Sequence, residues 1–204
     1  MATHLHIQPY YVGSGEARPS RFVGGPEYPH IKETASQTYK VGDLLYGDSS
    51  GTIAIATVDG GTPTLLNGEV AGQAIKDASG TTGQNVLFRR IRSEDLFFFS
   101  VHHQTEASAI TAQADLFDVL GLCKSTLGVG GATVAASWRI SKDAAGESAT
   151  LANGDVRVLG IPLRHPIGGA LLTIGDTFGL LLAKFNVISA ASDGNPFRRV
   201  LQLG

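Results

Sequence analysis

The sequence predicts an all-β protein: one or two small β-barrels or sandwiches behind an extended N-terminal arm, with at most one short helix. Three observations carry this. From Tyr39 onward, short apolar runs alternate with smaller or polar residues and end in Asp, Ser, Asn or Gly, the pattern of strands joined by tight turns. Glycine is abundant, 26 of 204 residues, beside only 8 prolines, which suits a turn-rich globular chain and not a low-complexity one. Helical periodicity is confined to a single short segment.

The elements follow in order. Residues 1–38 hold four of the prolines and scatter Tyr10, Tyr11, Phe22 and Tyr28 among glycines. Pro and Gly break helices and central strands, while each aromatic needs a surface to bury against. The segment therefore reads as an arm ordered on its own domain or on a neighbour, with a disordered tail as the alternative. TYKVGDLLYGDSSGTIAIATVDGG reads as a hairpin in which Ile53 and Ile55 alternate with Ala. LLNGEVAGQAIKDASGTTGQNVLFRRI adds strands near residues 70–75 and 86–91, completing a first barrel-like half over 39–95.

The second β-rich half, 96–188, opens on LFFFSV, rich in β-favouring aromatics. TAQADLFDVLG is the one helix candidate, with Thr111 as cap and Gly121 as stop. GVGGATVAASWRIS alternates Val134, Ala136, Trp138 and Ile140, which places Trp138 in the core. NGDVRVLGIPLRHP and GDTFGLLLAKFNVI supply the closing strands, and 189–204 form a C-terminal tail. A faint echo links the halves: LNGEVAGQAIKD is similar to LANGDVRVLGIPLRH, and VGDLLYGD to IGDTFGLL, read either as an internal repeat or as β-turn chemistry common to such chains.

Composition excludes several classes. Charged residues are 17% of the chain, below the roughly 25–35% typical of a soluble monomer surface, so much of the exterior is expected to face other protein. Net charge is −2, and the basic pairs Arg89/Arg90 and Arg198/Arg199 are isolated; phosphate neutralisation, hence nucleic-acid binding, is unsupported. The lone Cys123 rules out an intrachain disulfide and reads as a small buried hydrophobe. MATHLHIQPYY lacks the pattern of a signal peptide, and LFFFSV and GLLLAKF are too short to cross a bilayer. Synthesis in the cytoplasm and a soluble, membrane-free life are the expectation.

No constellation of catalytic or metal-binding residues stands out. GDSSG around Ser49 resembles the nucleophile turn of chymotrypsin-like proteases, but only 48 residues precede it, too few to carry the base and its acid on a barrel; His30 and Asp43 have no scaffold. A strand, not a helix, follows Ser49, so a nucleophile elbow is excluded too. His4 and His6 would share a strand face but have no third ligand nearby. Adjacent His102 and His103 would point to opposite faces, as would Glu94 and Asp95. His165 sits in a turn, Asp115 and Asp118 fit the first turns of the short helix, and GVGG at 128–131 lacks the context of a phosphate loop. The expectation is a protein without enzymatic activity, cofactor or metal.

YKVGDLLYGDSSGTIAIA, NGEVAGQAI, NVLFRRIRSEDLFFFSV and GDVRVLGIPLRHPIG…LLLAKFNVI together resemble the strand layout of the head-decoration, or cement, proteins of tailed bacteriophages, over about residues 39–188. The resemblance implies a β-rich virion protein on the outer capsid surface, trimeric or dimeric. Its partners would be itself and the major capsid protein, whose subunit junctions it holds against internal pressure. Large aromatics and Arg dominate interface energetics, so the expected contacts are Tyr10, Tyr11, Phe22 and Tyr28 in the arm and Phe197, Arg198 and Arg199 in the tail. The alternative is that these side chains cover their own barrel. A phage tail or baseplate β-barrel shares the same composition, and a carbohydrate-binding β-sandwich is a further reading.

Overall fold

The structure of the chain is a computed structural model describing residues 8–14, 31–47, 50–58, 64–67, 70–91, 94–102, 116–117, 119–127, 132–141, 155–174, 176 and 179–185. These form twelve strands, with no helix among the described residues. The chain is all-β. Its strands fall into two compact units. One holds β1 (Tyr10–Ser14), β5 (Thr64–Asn67), β8 (Asp95–Val101), β9 (Val119–Leu127), β10 (Thr133–Ser141), β11 (Val156–Gly160) and β12 (Leu180–Phe185). The other holds β2 (Leu44–Gly47), β3 (Ile53–Ile55), β6 (Gly72–Ala74) and β7 (Phe88–Arg90). The short β4 (Thr57–Val58) ends the larger sheet beside β5.

In the first unit, β8, β12, β11, β9 and β10 pair in that order, and β10 pairs back onto β8. Five strands thus close into a barrel. Every neighbour in the ring is antiparallel except the parallel β8–β10 pair. Alternation decides what fills the interior. Phe99 lies opposite Leu181 and Phe97 opposite Ala183. Val156 faces Phe185, and Ile140 faces both Leu122 and Val101. All are buried. Phe97, Phe99 and Phe185 meet one another tilted or edge-on, with centroids 5.5 to 5.9 Å apart. Such rings are each worth about 1.5–3 kcal/mol of burial. Ala183, between Phe97 and Val158 in register, supplies the small residue that so narrow a ring needs.

The β8–β10–β9 surface is buried on its outer face as well. Ser137, Arg139 and Ser141 of β10 sit opposite Ser125, Cys123 and Gly121 of β9, with Ser100 of β8 beside Arg139; every one is buried. Arg139 donates from Nε to Ser137 Oγ at 2.9 Å and from Nη1 to the Leu127 carbonyl at 2.6 Å. Burial pulls its guanidinium down to about 10, since desolvation penalises the charged form. On the inner face Trp138 is fully buried, with Lys124 Nζ 5.5 Å from its ring centroid.

The helix expected over 111–121 needs correction. Leu116 and Phe117 form a turn, Phe117 at a φ of 78°, and Val119, Leu120 and Gly121 already belong to β9. That run pairs on both edges, with β11 at Val119 and Leu120 and with β10 from Gly121 onward. Non-local ladders therefore override a short local preference. Residues 111–115 and Asp118 lie outside the described residues.

The second unit is a four-stranded antiparallel sheet in the order β3-β2-β6-β7. β2 and β3 form the expected hairpin, Leu45 opposite Ile55 and Gly47 opposite Ile53. Tyr39, Leu45, Ile53, Ala74, Val86 and Phe88 make its core. Gly72 is fixed by close approach: a Cβ there would stand 2.5 Å from the Arg89 carbonyl oxygen and run into the Phe88 ring. Buried Glu33 ties the sheet to residues 79–80. Its carboxylate accepts from Tyr39 Oη (3.2 Å), the Ser79 amide (3.0 Å), Ser79 Oγ (3.1 Å) and the Gly80 amide (3.0 Å).

The echo between the halves is structural. In KVGD the Lys40 amide donates to Asp43 Oδ2 at 2.9 Å and the Asp43 amide returns to the Lys40 carbonyl at 2.9 Å. In TIGD the Thr173 amide donates to Asp176 Oδ2 at 2.9 Å and the Asp176 amide to the Thr173 carbonyl at 3.3 Å. Each turn leads into a strand, β2 or β12, whose antiparallel neighbour, β6 or β11, descends from the NG-(E/D)-V motif.

Candidate interaction surfaces

The residues considered for catalysis are scattered or structural. Ser49 and Asp48 lie outside the described residues, in the connection between paired β2 and β3; His4, His6, His30 and His103 lie outside them too. Asp43 closes the turn before β2. His102 is buried at the end of β8, its amide donating to the Ile140 carbonyl at 2.6 Å. Asp95 and His165 are buried in the barrel unit. Among the described residues no three His, Cys, Asp or Glu side chains gather in a way that could hold a metal ion.

Two features of the barrel unit bear on contacts with other molecules. The first is the N-terminal segment. β1 is hydrogen-bonded to β8, with Tyr10 stacked on Phe98 at 6.4 Å and Tyr11 edge-on to Phe97 at 5.5 Å. Just before it, the Gln8 amide meets β10: Nε2 donates to the Ala136 carbonyl at 2.9 Å, and the Trp138 amide donates to Oε1 at 3.4 Å. Alternate residues of a strand present their backbone groups to one edge. Ala136, Trp138 and Ile140 therefore share the edge that β8 occupies further along, at Arg139 and Ile140. A side-chain amide carries the same donor and acceptor as a peptide group. Gln8 thus continues the ladder where β8 diverges.

Tyr10 and Tyr11 lie against their own barrel in this arrangement, with Tyr10 still 54% exposed. The other expected contact residues, Phe22, Tyr28, Phe197, Arg198 and Arg199, lie outside the described residues.

The second feature escaped sequence reasoning. Between β11 and β12 the chain forms a braced loop. Arg164 and Leu171 bridge, the His165 amide donates to the Ala170 carbonyl at 2.8 Å and the Leu172 amide to the Leu163 carbonyl at 3.2 Å. Arg164 Nη1 donates to the Gly169 carbonyl at 2.9 Å, and the Ile167 amide donates to His165 Nδ1 at 3.1 Å. On this frame Leu163, Ile167 and Leu171 are 75%, 58% and 57% exposed. Three aliphatic side chains are thus held out to solvent by a fixed backbone, each available for contact with another molecule. The signal was an aliphatic residue at every fourth position through a Pro/Gly turn segment, a spacing that fits neither strand nor core.

Comparisons with protein-family models, curated proteins and solved structures give no match to the chain.

Proposed function

We propose that this chain is a non-enzymatic structural protein of a tailed-phage virion, one that binds the outer capsid surface and cements neighbouring major-capsid subunits. The observation that carries the reading is the braced apolar loop of the barrel unit. Leu163, Ile167 and Leu171 are too exposed to stabilise their own fold, yet the backbone beneath them is tied at Arg164, His165 and Leu172. Apolar side chains on a pre-ordered backbone bind protein at a smaller ordering cost than those on a loop that must first be fixed. Three side chains fall well short of the roughly 800 Å² per partner of a stable isolated complex, which favours a partner presenting many equivalent sites, where weak contacts sum. A capsid lattice is such a partner. The strand layout similar to cement proteins, and the low charge fraction, point the same way.

The test is sedimentation of the purified chain with expanded shells assembled from a tailed-phage major capsid protein. The reading expects saturable co-pelleting at a fixed ratio to capsid subunits. A chain that stays in the supernatant at micromolar concentration would overturn it and leave the tail or baseplate barrel in its place.

A further inference from the structure

The edge of β10 between Ala136 and Trp138 is served by Gln8 and not by β8. Beside it, β1 pairs with β8. Residues 8–14 thus occupy a slot in the barrel unit between two diverging strands. Pro9 is buried there, Tyr11 packs on Phe97, the ring that also touches Phe99 and Phe185, and Tyr10 stacks on Phe98. These contacts run from one short segment onto β8 and β10.

The segment is covalently remote from that slot. Gly13, at a φ of 155°, a conformation that glycine readily adopts, is its last residue in the barrel unit; the chain then passes to the other unit. After Ser14 the next described residue is Ile31, and the 16 residues between them can reach at most roughly 55 Å. A segment with a self-contained set of contacts and a glycine at its exit makes the same contacts whichever copy supplies it. That is the condition for exchange between copies.

We propose that the slot between β8 and β10 accepts residues 8–14 from a second copy of this chain, so that copies are linked by strand exchange. The docked segment meets the same side chains in either arrangement, so the balance depends on tether length against the local concentration of neighbours. Crowded copies favour exchange and dilute ones favour the chain's own segment. The linkage holds whatever surface the assembled copies serve.

The experiment uses full-length chains carrying Tyr10→Cys alone, Phe98→Cys alone, or both. The single variants are unfolded together, refolded at several concentrations and oxidised, and the bridged peptides are identified by mass. The double variant is expected to form its bond at every concentration. The mixed single variants are expected to form the same bond between chains, in a yield that rises about in proportion to concentration while it is small. An intrachain bond in the double variant with none between the mixed chains at millimolar concentration would overturn the proposal. A double variant that forms no bond would overturn the docking of residues 8–14 on which it rests.

Discussion

Glu33 offers the sharpest energetic test in the sheet unit. One oxygen accepts from Tyr39 Oη, the Ser79 amide and Ser79 Oγ, the other from the Gly80 amide. In Glu33→Gln the amide oxygen can keep the three-donor position, but its NH2 then confronts the Gly80 N–H. One hydrogen bond is lost and two donors face each other, a cost of about 1.5 kcal/mol. Glu33→Ala removes all four. Ser79 and Gly80 are accessible and regain water, whereas Tyr39 is 2% exposed and its hydroxyl is stranded. With the cavity, the loss is about 3 kcal/mol rather than the sum of four charged hydrogen bonds. Urea unfolding monitored by circular dichroism reads this directly: at a slope near 1.5 kcal/mol/M the midpoint falls by roughly 1 M for Gln and 2 M for Ala. Equal losses for the two variants, or a loss below about 0.5 kcal/mol for Ala, would refute the reasoning.

Four further outcomes follow from named contacts. Phe97→Ala removes the ring shared by Tyr11, Phe99 and Phe185 and should cost about 3–5 kcal/mol, read as loss of the barrel's near-ultraviolet signal at lower denaturant. Gly72→Ala sets a methyl against Phe88 and the Arg89 carbonyl and should lower stability by at least about 1–3 kcal/mol; an unchanged melting temperature would show that β7 can retreat. Burial, then the neighbouring Glu33, raises the Tyr39 hydroxyl above its ordinary value near 10. Because the folded state holds that proton more tightly, its contribution is complete below about pH 10 and is lost as pH climbs above it; Tyr39→Phe should flatten this alkaline fall in thermal melts. Leu163→Asp with Leu171→Asp should leave stability within about 0.5 kcal/mol, both residues being exposed, while lowering capsid binding at least tenfold; undiminished binding would move the contact elsewhere.

What the sequence made legible was local. The aromatic run LFFFSV reads as a strand and is β8, the alternation in VAASWRI places Trp138 in the core, where it is fully buried, and the glycine turns mark the β2–β3 hairpin. The repeated GD motif proved to be a repeated turn because its chemistry is contained in four residues. What stayed illegible was non-local. VLGL at 119–122 satisfies a helix or a strand equally well, and only pairing with β11 and β10 decides it. Nothing in TLLN announces that β5 lies beside Cys123 and Lys124 of β9, nor that a glutamine at position 8 completes a ladder some 130 residues away. The apolar loop reads as an ordinary turn because turn residues and exposed aliphatics are mixed in it.

Cementing makes a stronger claim than binding, and one measurement addresses it. Capsids saturated with the chain and bare capsids from the same preparation are heated side by side, with shell opening followed by dye access to packaged DNA. Decorated shells should open at a higher temperature, by an amount that grows with occupancy and vanishes with the Leu163→Asp, Leu171→Asp variant. Identical opening temperatures at full occupancy would contradict that claim.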